Sequence, residues 1–214
     1  PPRDRPKTIR RMAADMSGLT SRLRLALWGL VGVAAVAATL LFFVTRPAPD
    51  SGGIGGGSYA LVDQRGNPVD QSMLVGQPSL LFFGYTHCPD VCPTTMGEMA
   101  GWFADLGDEA KTLKAFFVTV DPERDTPEIL DGYVSWVSDR VTGVTGKPEE
   151  IAKMVKAWKV LGEKVPGQGS DYTMNHTASV FLVNAQGGFE GTIAYEEATP
   201  VALGKIRKLL GKSA

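Results

Sequence analysis

From residue 79 onward the chain alternates short apolar runs with longer stretches of mixed polarity. The runs SLLFFGY (79–85) and AFFVTV (115–120) are dominated by Leu, Phe and Val, a composition typical of parallel strands buried on both faces. TTMGEMAGWFADLG (94–107) lies between them and ends at a glycine, which predicts a helix. The three segments together predict a strand–helix–strand unit.

Further helices and a hairpin follow this unit. Residues 126–137 and 147–160 each carry a proline in the first turn, where its missing N–H is not needed, and a last helix is predicted after Pro200. Residues 178–195 are predicted to form a hairpin that turns at a Gly-Gly pair. With a β-rich entry before the first of these strands, the order predicts an α/β sandwich of the thioredoxin type, without an internal repeat or a second folded domain.

One apolar run near the start of the chain is of a different kind. Residues 25–44, LALWGLVGVAAVAATLLFFV, are twenty consecutive residues without a charge, enough to cross the roughly 30 Å of a bilayer core as a helix. A cleaved signal peptide is the alternative, but the run exceeds the usual length of such an apolar region and no small-x-small cleavage site follows it. The sequence therefore predicts one transmembrane helix. Because the chain opens on Pro1 rather than methionine, we also expect further native sequence before it.

The distribution of charge gives this helix an orientation. Residues 1–24 hold seven Lys and Arg residues and two acidic ones, so the positive-inside rule predicts a cytoplasmic N-terminus. We expect a single-pass protein of the inner membrane, with its C-terminal domain in the periplasm or an equivalent compartment. The rest of the chain has 15 basic and 21 acidic residues, and no cationic surface for nucleic acid is predicted.

The segment after the apolar run is rich in Gly, Pro and Ser and has no apolar periodicity, which is typical of a flexible tether. Four regions are therefore predicted: a basic cytoplasmic N-terminus (1–24), a transmembrane anchor (25–44), a flexible linker (45–58) and a thioredoxin-like domain (59–214).

The only two cysteines, Cys88 and Cys92, lie in HCPDVCP, and each precedes a proline. Because a residue before proline is disfavoured in helical geometry, both are predicted to lie in a loop, with the next helix beginning at Pro93 and Cys92 as its cap. The unpaired N–H groups and positive dipole of a helix start favour the thiolate, the form that attacks disulfides and binds metals. A purely structural disulfide is the competing interpretation, but closing so short a loop adds little stability.

The chain also has only two histidines. His87 is predicted to lie at the surface or next to the ligands without being one of them, because it is adjacent to Cys88 and the side chains of adjacent residues diverge. His176 precedes the strand predicted near residue 178, and in a thioredoxin-like sandwich that loop faces the cysteine loop. Two thiolates and one imidazole form a soft set suited to Cu(I), or to Cu(II) when further ligands join, whereas structural zinc needs four protein ligands. The alternative for His176 is a loop histidine satisfied by hydrogen bonds.

Acidic residues follow the second predicted strand in VDPERDTPE. Asp121 lies at the carboxyl end of that strand, where α/β sheets place their ligands, so it either faces the site or has no functional role. Arg124 and Asp125 are interpreted as structural, because Asp125 or Thr126 before Pro127 makes a good helix start.

Three motifs carry a resemblance to a known protein family. The chain resembles, over most of the predicted domain, the Sco/SenC family of membrane-anchored, thioredoxin-fold copper proteins that assist cytochrome c oxidase assembly. This resemblance implies that Cys88, Cys92 and His176 are copper ligands and that Asp121 is an acidic position associated with the site. The chain departs from the family at Asn175, where an acidic residue is common. The motifs are FFGYTHCPDVCPTTM (82–96), VTVDPERDTPE (118–128) and DYTMNHTASVFLV (171–183).

The resemblance implies a copper metallochaperone that holds Cu(I), Cu(II) or both and delivers copper to the copper-binding subunit of a terminal cytochrome oxidase. The alternative is a thiol–disulfide oxidoreductase, in which Cys88 and Cys92 are a catalytic redox pair that keeps the cysteines of that subunit reduced. A redox-sensing module is a third hypothesis. Another copper carrier or a thiol reductant is a further expected partner.

Overall fold

The computed structural model describes residues 24, 27–39, 53–169 and 171–212. The chain divides into two compact units, Pro1–Pro49 and Asp50–Ala214. In the first unit, residues 27–39 are helical, inside the apolar run on which the transmembrane prediction rests. The described residues do not include the rest of that run or the linker up to residue 52. Of the basic N-terminus they include only residue 24. Within the described ranges, no helix combines the length and the apolarity needed to cross a bilayer.

The second unit contains the helices and strands that the apolar pattern predicts, in the predicted order, with three further strands among them. Two short 3-10 turns, Gln71–Leu74 and Gly107–Ala110, connect its regular elements. In chain order those elements are β1 (Ala60–Asp63), β2 (Pro68–Asp70), β3 (Ser79–Gly84), α1 (Val91–Leu106), β4 (Lys114–Thr119), α2 (Pro127–Val137), β5 (Val141–Thr145), α3 (Pro148–Ala157), β6 (Gly162–Pro166), β7 (Tyr172–His176), β8 (Val180–Val183), β9 (Phe189–Ile193) and α4 (Thr199–Leu209).

Seven of the strands form one mixed sheet in the order β2-β1-β5-β4-β3-β8-β9. The central strands β3, β4 and β5 are parallel, in a register that places Phe82 opposite Phe117 and Gly84 opposite Thr119. The parallel strands therefore end at the same edge of the sheet, and the cysteine loop follows the end of β3. The remaining strands, β6 and β7, pair only with each other as an antiparallel ribbon outside this sheet.

Both faces of the central sheet are covered, which explains why β3 is buried at every position. Successive side chains of a strand point to opposite faces. On one face Phe82 lies 6.0 Å from Phe117, which in turn contacts Tyr133 of α2. On the other face Phe83 contacts Trp158, which follows α3. The predicted α/β sandwich is thus confirmed.

Three strands were not predicted, and several helix and strand ends differ by one to three residues from the predicted bounds. The unpredicted strand β5 adds a third parallel strand to the sheet. The ribbon β6–β7 occupies a stretch in which no element was predicted, and it carries His176 at the end of β7.

Residues that precede Tyr59, at the start of the second unit, already contact the rest of the domain. The Gly55 N–H donates to the Ala157 carbonyl at 2.9 Å. Gly55 has a positive φ of 92°, and a Cβ built there would lie 2.8 Å from the Trp158 ring, so glycine is required at this position.

Candidate metal centre

Three donor atoms from three parts of the chain lie close together. Cys88 comes from the loop after β3, Cys92 from the first turn of α1 and His176 from the end of β7. Their two Sγ atoms and the imidazole all lie within 4.8 Å of one another. The His176 Nε2 is 3.4 Å from Cys92 Sγ and 3.9 Å from Cys88 Sγ. The site therefore brings together the three residues that the sequence singled out.

The start of α1 differs from its prediction. The helix begins at Val91, with Asp90 as its N-cap, so the prediction that Cys92 caps a helix starting at Pro93 is wrong. Proline is tolerated in this first turn because the N–H groups there have no intrahelical partner. The Asp90 side chain makes no capping bond; instead, Cys88 Sγ accepts a hydrogen bond from the Cys92 N–H at 3.3 Å. The Cys88 sulfur thus accepts a hydrogen bond at the helix start, as the side chain of an N-cap residue would.

The two thiols have opposite protonation preferences, and both are free in this structure. The pKa of Cys88 is lowered to about 4, first because the Cys92 thiol donates a hydrogen bond to it, and further because of His176 and the backbone N–H of Cys92. The pKa of Cys92 is raised by its bond to Cys88 and by burial. These opposite shifts make Cys88 the first of the two to lose its proton, while Cys92 keeps its own and donates it to the Cys88 sulfur.

The Cys92 side chain is tightly packed against the central sheet. Its side chain is fully buried, whereas Cys88 is 9% exposed. A Cβ added at Gly84, the last residue of β3, would lie 2.8 Å from Cys92 Sγ and 2.9 Å from the Phe117 ring. The glycine therefore makes the space into which the sulfur fits.

His176 is oriented by its own surroundings. Its ring makes edge contacts with Phe82 and Tyr85, at centroid distances of 6.0 and 5.7 Å. Its Nδ1 lies 3.1 Å from the Thr177 carbonyl oxygen. Because a carbonyl oxygen can only accept, this bond places a proton on Nδ1. Nε2 is therefore the ring nitrogen that faces the two sulfurs and is available to bind a metal.

Asn175, where the chain departs from the common Sco pattern, points away from the site. It lies opposite Glu163 in the β6–β7 register and is exposed, while Tyr172, Met174 and His176 are partly buried. The alternation of a strand explains this difference, since Asn175 and His176 face opposite sides.

Asp121 is buried but does not join the three donors. Its carboxylate accepts hydrogen bonds from the Tyr172 hydroxyl at 2.9 Å and from the Arg124 guanidinium. The group of clustered donors found in the described residues does not include it. Asp121 therefore contacts the ribbon that carries His176.

Asp125 lies beneath the cysteine loop, a placement that sequence reasoning missed. It is fully buried and accepts hydrogen bonds from the Thr119 hydroxyl at 2.6 Å, the Thr86 hydroxyl at 2.6 Å and the Thr86 N–H at 3.1 Å. Burial raises the pKa of this carboxyl. The cap of α2 is instead Thr126, whose side chain accepts from the Ile129 N–H. No sequence signal distinguishes Asp125 from a cap, because its partners lie in the loop after β3 and at the end of β4.

His87 is exposed, as predicted. Its side chain is 53% accessible, and its Nδ1 lies 3.0 Å from the Thr86 hydroxyl and 4.0 Å from Asp125. It is not a member of the clustered donors found in the described residues.

A thioredoxin-like sandwich with two thiols and an imidazole at the start of its first helix defines a class of proteins that bind soft metals or exchange disulfides. The sequence model of the SCO1/SenC family matches residues 48–211. The chain therefore belongs to the SCO1/SenC family, and the resemblance carried by its motifs is confirmed.

Solved and curated relatives agree with this assignment. ScoI of Bradyrhizobium japonicum, solved with copper bound, is 39% identical, with a TM-score of 0.68 over 73% of this chain and 99% of that one. Mitochondrial SCO2 of Saccharomyces cerevisiae is 31% identical over 158 residues, which are 72% of this chain and 52% of SCO2. BsSco, described as a member of the Sco family of cytochrome c oxidase assembly proteins, shares the fold at 21% identity and a TM-score of 0.58, over 72% of this chain and 92% of its own. The chain spans about half to two thirds of the length of the first curated relatives that it matches.

Proposed function

We propose that Cys88, Cys92 and His176 bind copper and that the protein is a copper metallochaperone. The observation that carries the proposal is the convergence of two sulfurs and an oriented imidazole nitrogen within 4.8 Å. This soft set of three donors suits Cu(I), and Cu(II) is accommodated when further ligands join. The copper-bound structure of ScoI, at 39% identity, supports the same cargo.

The proposed recipient is the copper-binding subunit of a terminal cytochrome oxidase. The description of BsSco as a member of a family of oxidase assembly proteins supports it. Copper binding requires two thiolates, so loading at neutral pH displaces the proton that Cys92 retains. Another copper carrier supplies the ion, and a thiol reductant keeps the cysteines unbridged.

Thiol–disulfide exchange is the second candidate function, and the Cys88 thiolate favours it. Its sulfur would attack a disulfide of the oxidase subunit to form a mixed disulfide, which Cys92 would then resolve. Two electrons pass to the partner, whose two sulfurs leave as thiols, and the Cys88–Cys92 disulfide remains. A thiol reductant must then restore the pair. Asp121 supports either function indirectly, through the ribbon that it contacts.

The substitution His176→Ala separates the two functions. A copper site loses one of three donors, whereas disulfide exchange depends on the thiolate and on access to it. We expect the variant to bind Cu(I) more weakly, to retain disulfide exchange, and to fail in oxidase maturation at limiting copper. His87→Ala is the matched control, because His87 is exposed and outside the donor cluster. Full oxidase assembly by His176→Ala at limiting copper would replace the chaperone by the oxidoreductase.

We further propose that residues 25–44 anchor the protein in the inner membrane, with the C-terminal domain in the periplasm or an equivalent compartment. The support is the uncharged twenty-residue run and the excess of basic residues before it. Carbonate extraction of membranes tests this proposal, since an anchored chain stays in the pellet and a peripheral one is released.

A further inference from the structure

The strand that carries His176 is attached to the domain in an unusual way. The β6–β7 ribbon shares no ladder with the seven-stranded sheet, and three of the five residues of β7 are only partly buried while the other two are exposed. Backbone pairing therefore fixes β7 to β6 alone. Other contacts must set the position of His176 relative to the two sulfurs.

Several polar contacts attach the ribbon to the domain at Tyr172. The Tyr172 hydroxyl donates to Asp121 Oδ1 at 2.9 Å, and its carbonyl accepts from Arg124 Nη1 at 3.1 Å. Its ring lies between two cations, with the Arg124 guanidinium carbon 3.7 Å and the Lys164 Nζ 3.9 Å from the ring centroid. Lys164 is in turn paired with Glu123 at 2.8 Å. We call these five residues the Tyr172 clamp.

The clamp joins two segments that are far apart in the sequence. Asp121, Glu123 and Arg124 follow the end of β4, while Lys164 and Tyr172 belong to β6 and β7. Arg124 also lies 5.9 Å from the Tyr85 ring, and that ring contacts His176. A guanidinium over an aromatic ring, whose Nε and Nη1 donate to Asp121 and to the Tyr172 carbonyl, fixes orientation as well as distance.

Strand geometry transmits this fixed position to the donor. Tyr172 and His176 are four residues apart on β7, so their side chains face the same side of the ribbon, about 13 Å apart at a rise of about 3.3 Å per residue. A change in the tilt of the ribbon at Tyr172 therefore displaces the imidazole at the other end of the same strand.

We infer that Tyr172, held between Arg124 and Lys164, is a positioning residue that docks the β6–β7 ribbon and thereby places His176 at the two cysteines. This inference rests on the proposed copper site for its effect on binding. The docking itself does not depend on copper.

The test uses the full chain, reduced and free of copper, with two measurements. Hydrogen exchange of the β6–β7 peptides reports docking, and competition with a chromophoric chelator for Cu(I) reports the site. Tyr172→Leu removes the stacked ring and the hydroxyl, and we expect ribbon exchange to rise about tenfold and Cu(I) affinity to fall about tenfold, the lower end of the effect of groups that orient metal ligands. Exchange in the central sheet should not change.

Three further variants keep the test decisive. Thr173→Ala, on the exposed side of the same strand, is the matched control and should change neither measurement. Tyr172→Phe keeps the ring between its two cations and should have a smaller effect than Tyr172→Leu in both. Arg124→Lys keeps the charge but loses the guanidinium that lies over the ring and its two separate donors, so it should loosen the ribbon. These two milder variants decide the question if Tyr172→Leu does not fold.

Each remaining outcome separates the two proposals. Unchanged exchange and unchanged Cu(I) affinity in Tyr172→Leu would overturn the clamp. A looser ribbon with unaltered Cu(I) affinity would overturn the positioning of His176 by Tyr172. If the wild-type chain bound no Cu(I), the proposed function would fail, and the exchange measurement alone would decide whether the clamp docks the ribbon.

Discussion

The two halves of the donor set are held in different ways. The cysteines belong to the core, since Cys92 is fully buried against Gly84 and the Phe117 ring at the end of the central sheet. His176 lies on a ribbon outside that sheet and depends on side-chain contacts. The cysteine half is thus fixed by packing, and the histidine half by polar and aromatic contacts that a conformational change can release at lower cost.

The largest effect that the comparison predicts comes from the cysteine half alone. Oxidation to a Cys88–Cys92 disulfide removes both thiolates, so copper binding should be lost, whereas the reduced chain should bind a single copper ion. Copper analysis of the two redox forms after gel filtration measures the difference. Equal copper content in both forms would contradict a site built on the two sulfurs, however well His176 is placed.

A smaller effect is expected from crowding the cysteine half. Gly84→Ala puts a methyl group 2.8 Å from Cys92 Sγ, so we expect the free energy of unfolding to fall by about 1–3 kcal/mol and Cu(I) affinity to fall with it. Gly97→Ala, in α1 with nothing within 4 Å of the new Cβ, is the control and should stabilise the chain by roughly 0.4–1 kcal/mol. Urea denaturation measures both. Equal stability of the two variants would show that Cys92 has room to move.

The pH dependence of Cys88 sharpens the comparison further. Because its pKa is lowered to about 4 and only the thiolate is alkylated, the rate of reaction with iodoacetamide should be nearly flat from neutral pH downward and fall off as pH approaches 4. Cys92→Ala removes the largest cause of the lowered pKa of Cys88, so the midpoint pH of alkylation should rise well above that of the unsubstituted chain. His176→Ala should move it less, since His176 contributes less than Cys92. The opposite order would assign control of the thiolate to the ribbon.

The smallest effect is expected on the outer face of the ribbon. Asn175→Asp introduces the acidic residue that the resemblance in the sequence implies, but it places a carboxylate opposite Glu163 and away from His176. Like charges in such a cross-strand pair destabilise it by about 0.2–1 kcal/mol, so Cu(I) affinity should change by less than about fivefold. Chelator competition measures the change, and a larger gain in affinity would mean that the acidic residue reaches the site.

The same division between core and ribbon explains what the sequence alone could predict. The buried strands β3 and β4 and the helix between them have strong apolar patterns, so the cysteines could be placed at the start of α1 within two residues. The ribbon strands GEKVP and YTMNH are mostly exposed and polar, so they resemble a loop, although the position of His176 before β8 was recognised.

Two other misses have particular physical causes. The strand β5, VTGVT, carries a glycine at its centre because a Cβ at Gly143 would press on Leu130 and Val134 of α2, at 3.3 Å from each. That glycine weakens the strand pattern. Asp125 stands two residues before Pro127, where a helix cap is common, and only the tertiary fold brings Thr86 and Thr119 to its carboxylate.

The three donors also differ in how deeply they are buried, and this difference affects the order in which a bound ion would exchange its ligands. His176 is partly exposed, Cys88 is 9% exposed and Cys92 is fully buried. An incoming ligand therefore meets the imidazole first and the Cys92 sulfur last. A bound ion would exchange its ligands from the outside inward, and a partner must offer its own donors before the innermost bond breaks. Loss into solvent, where no new donor replaces a broken bond, would then be slower than stepwise ligand exchange inside a complex.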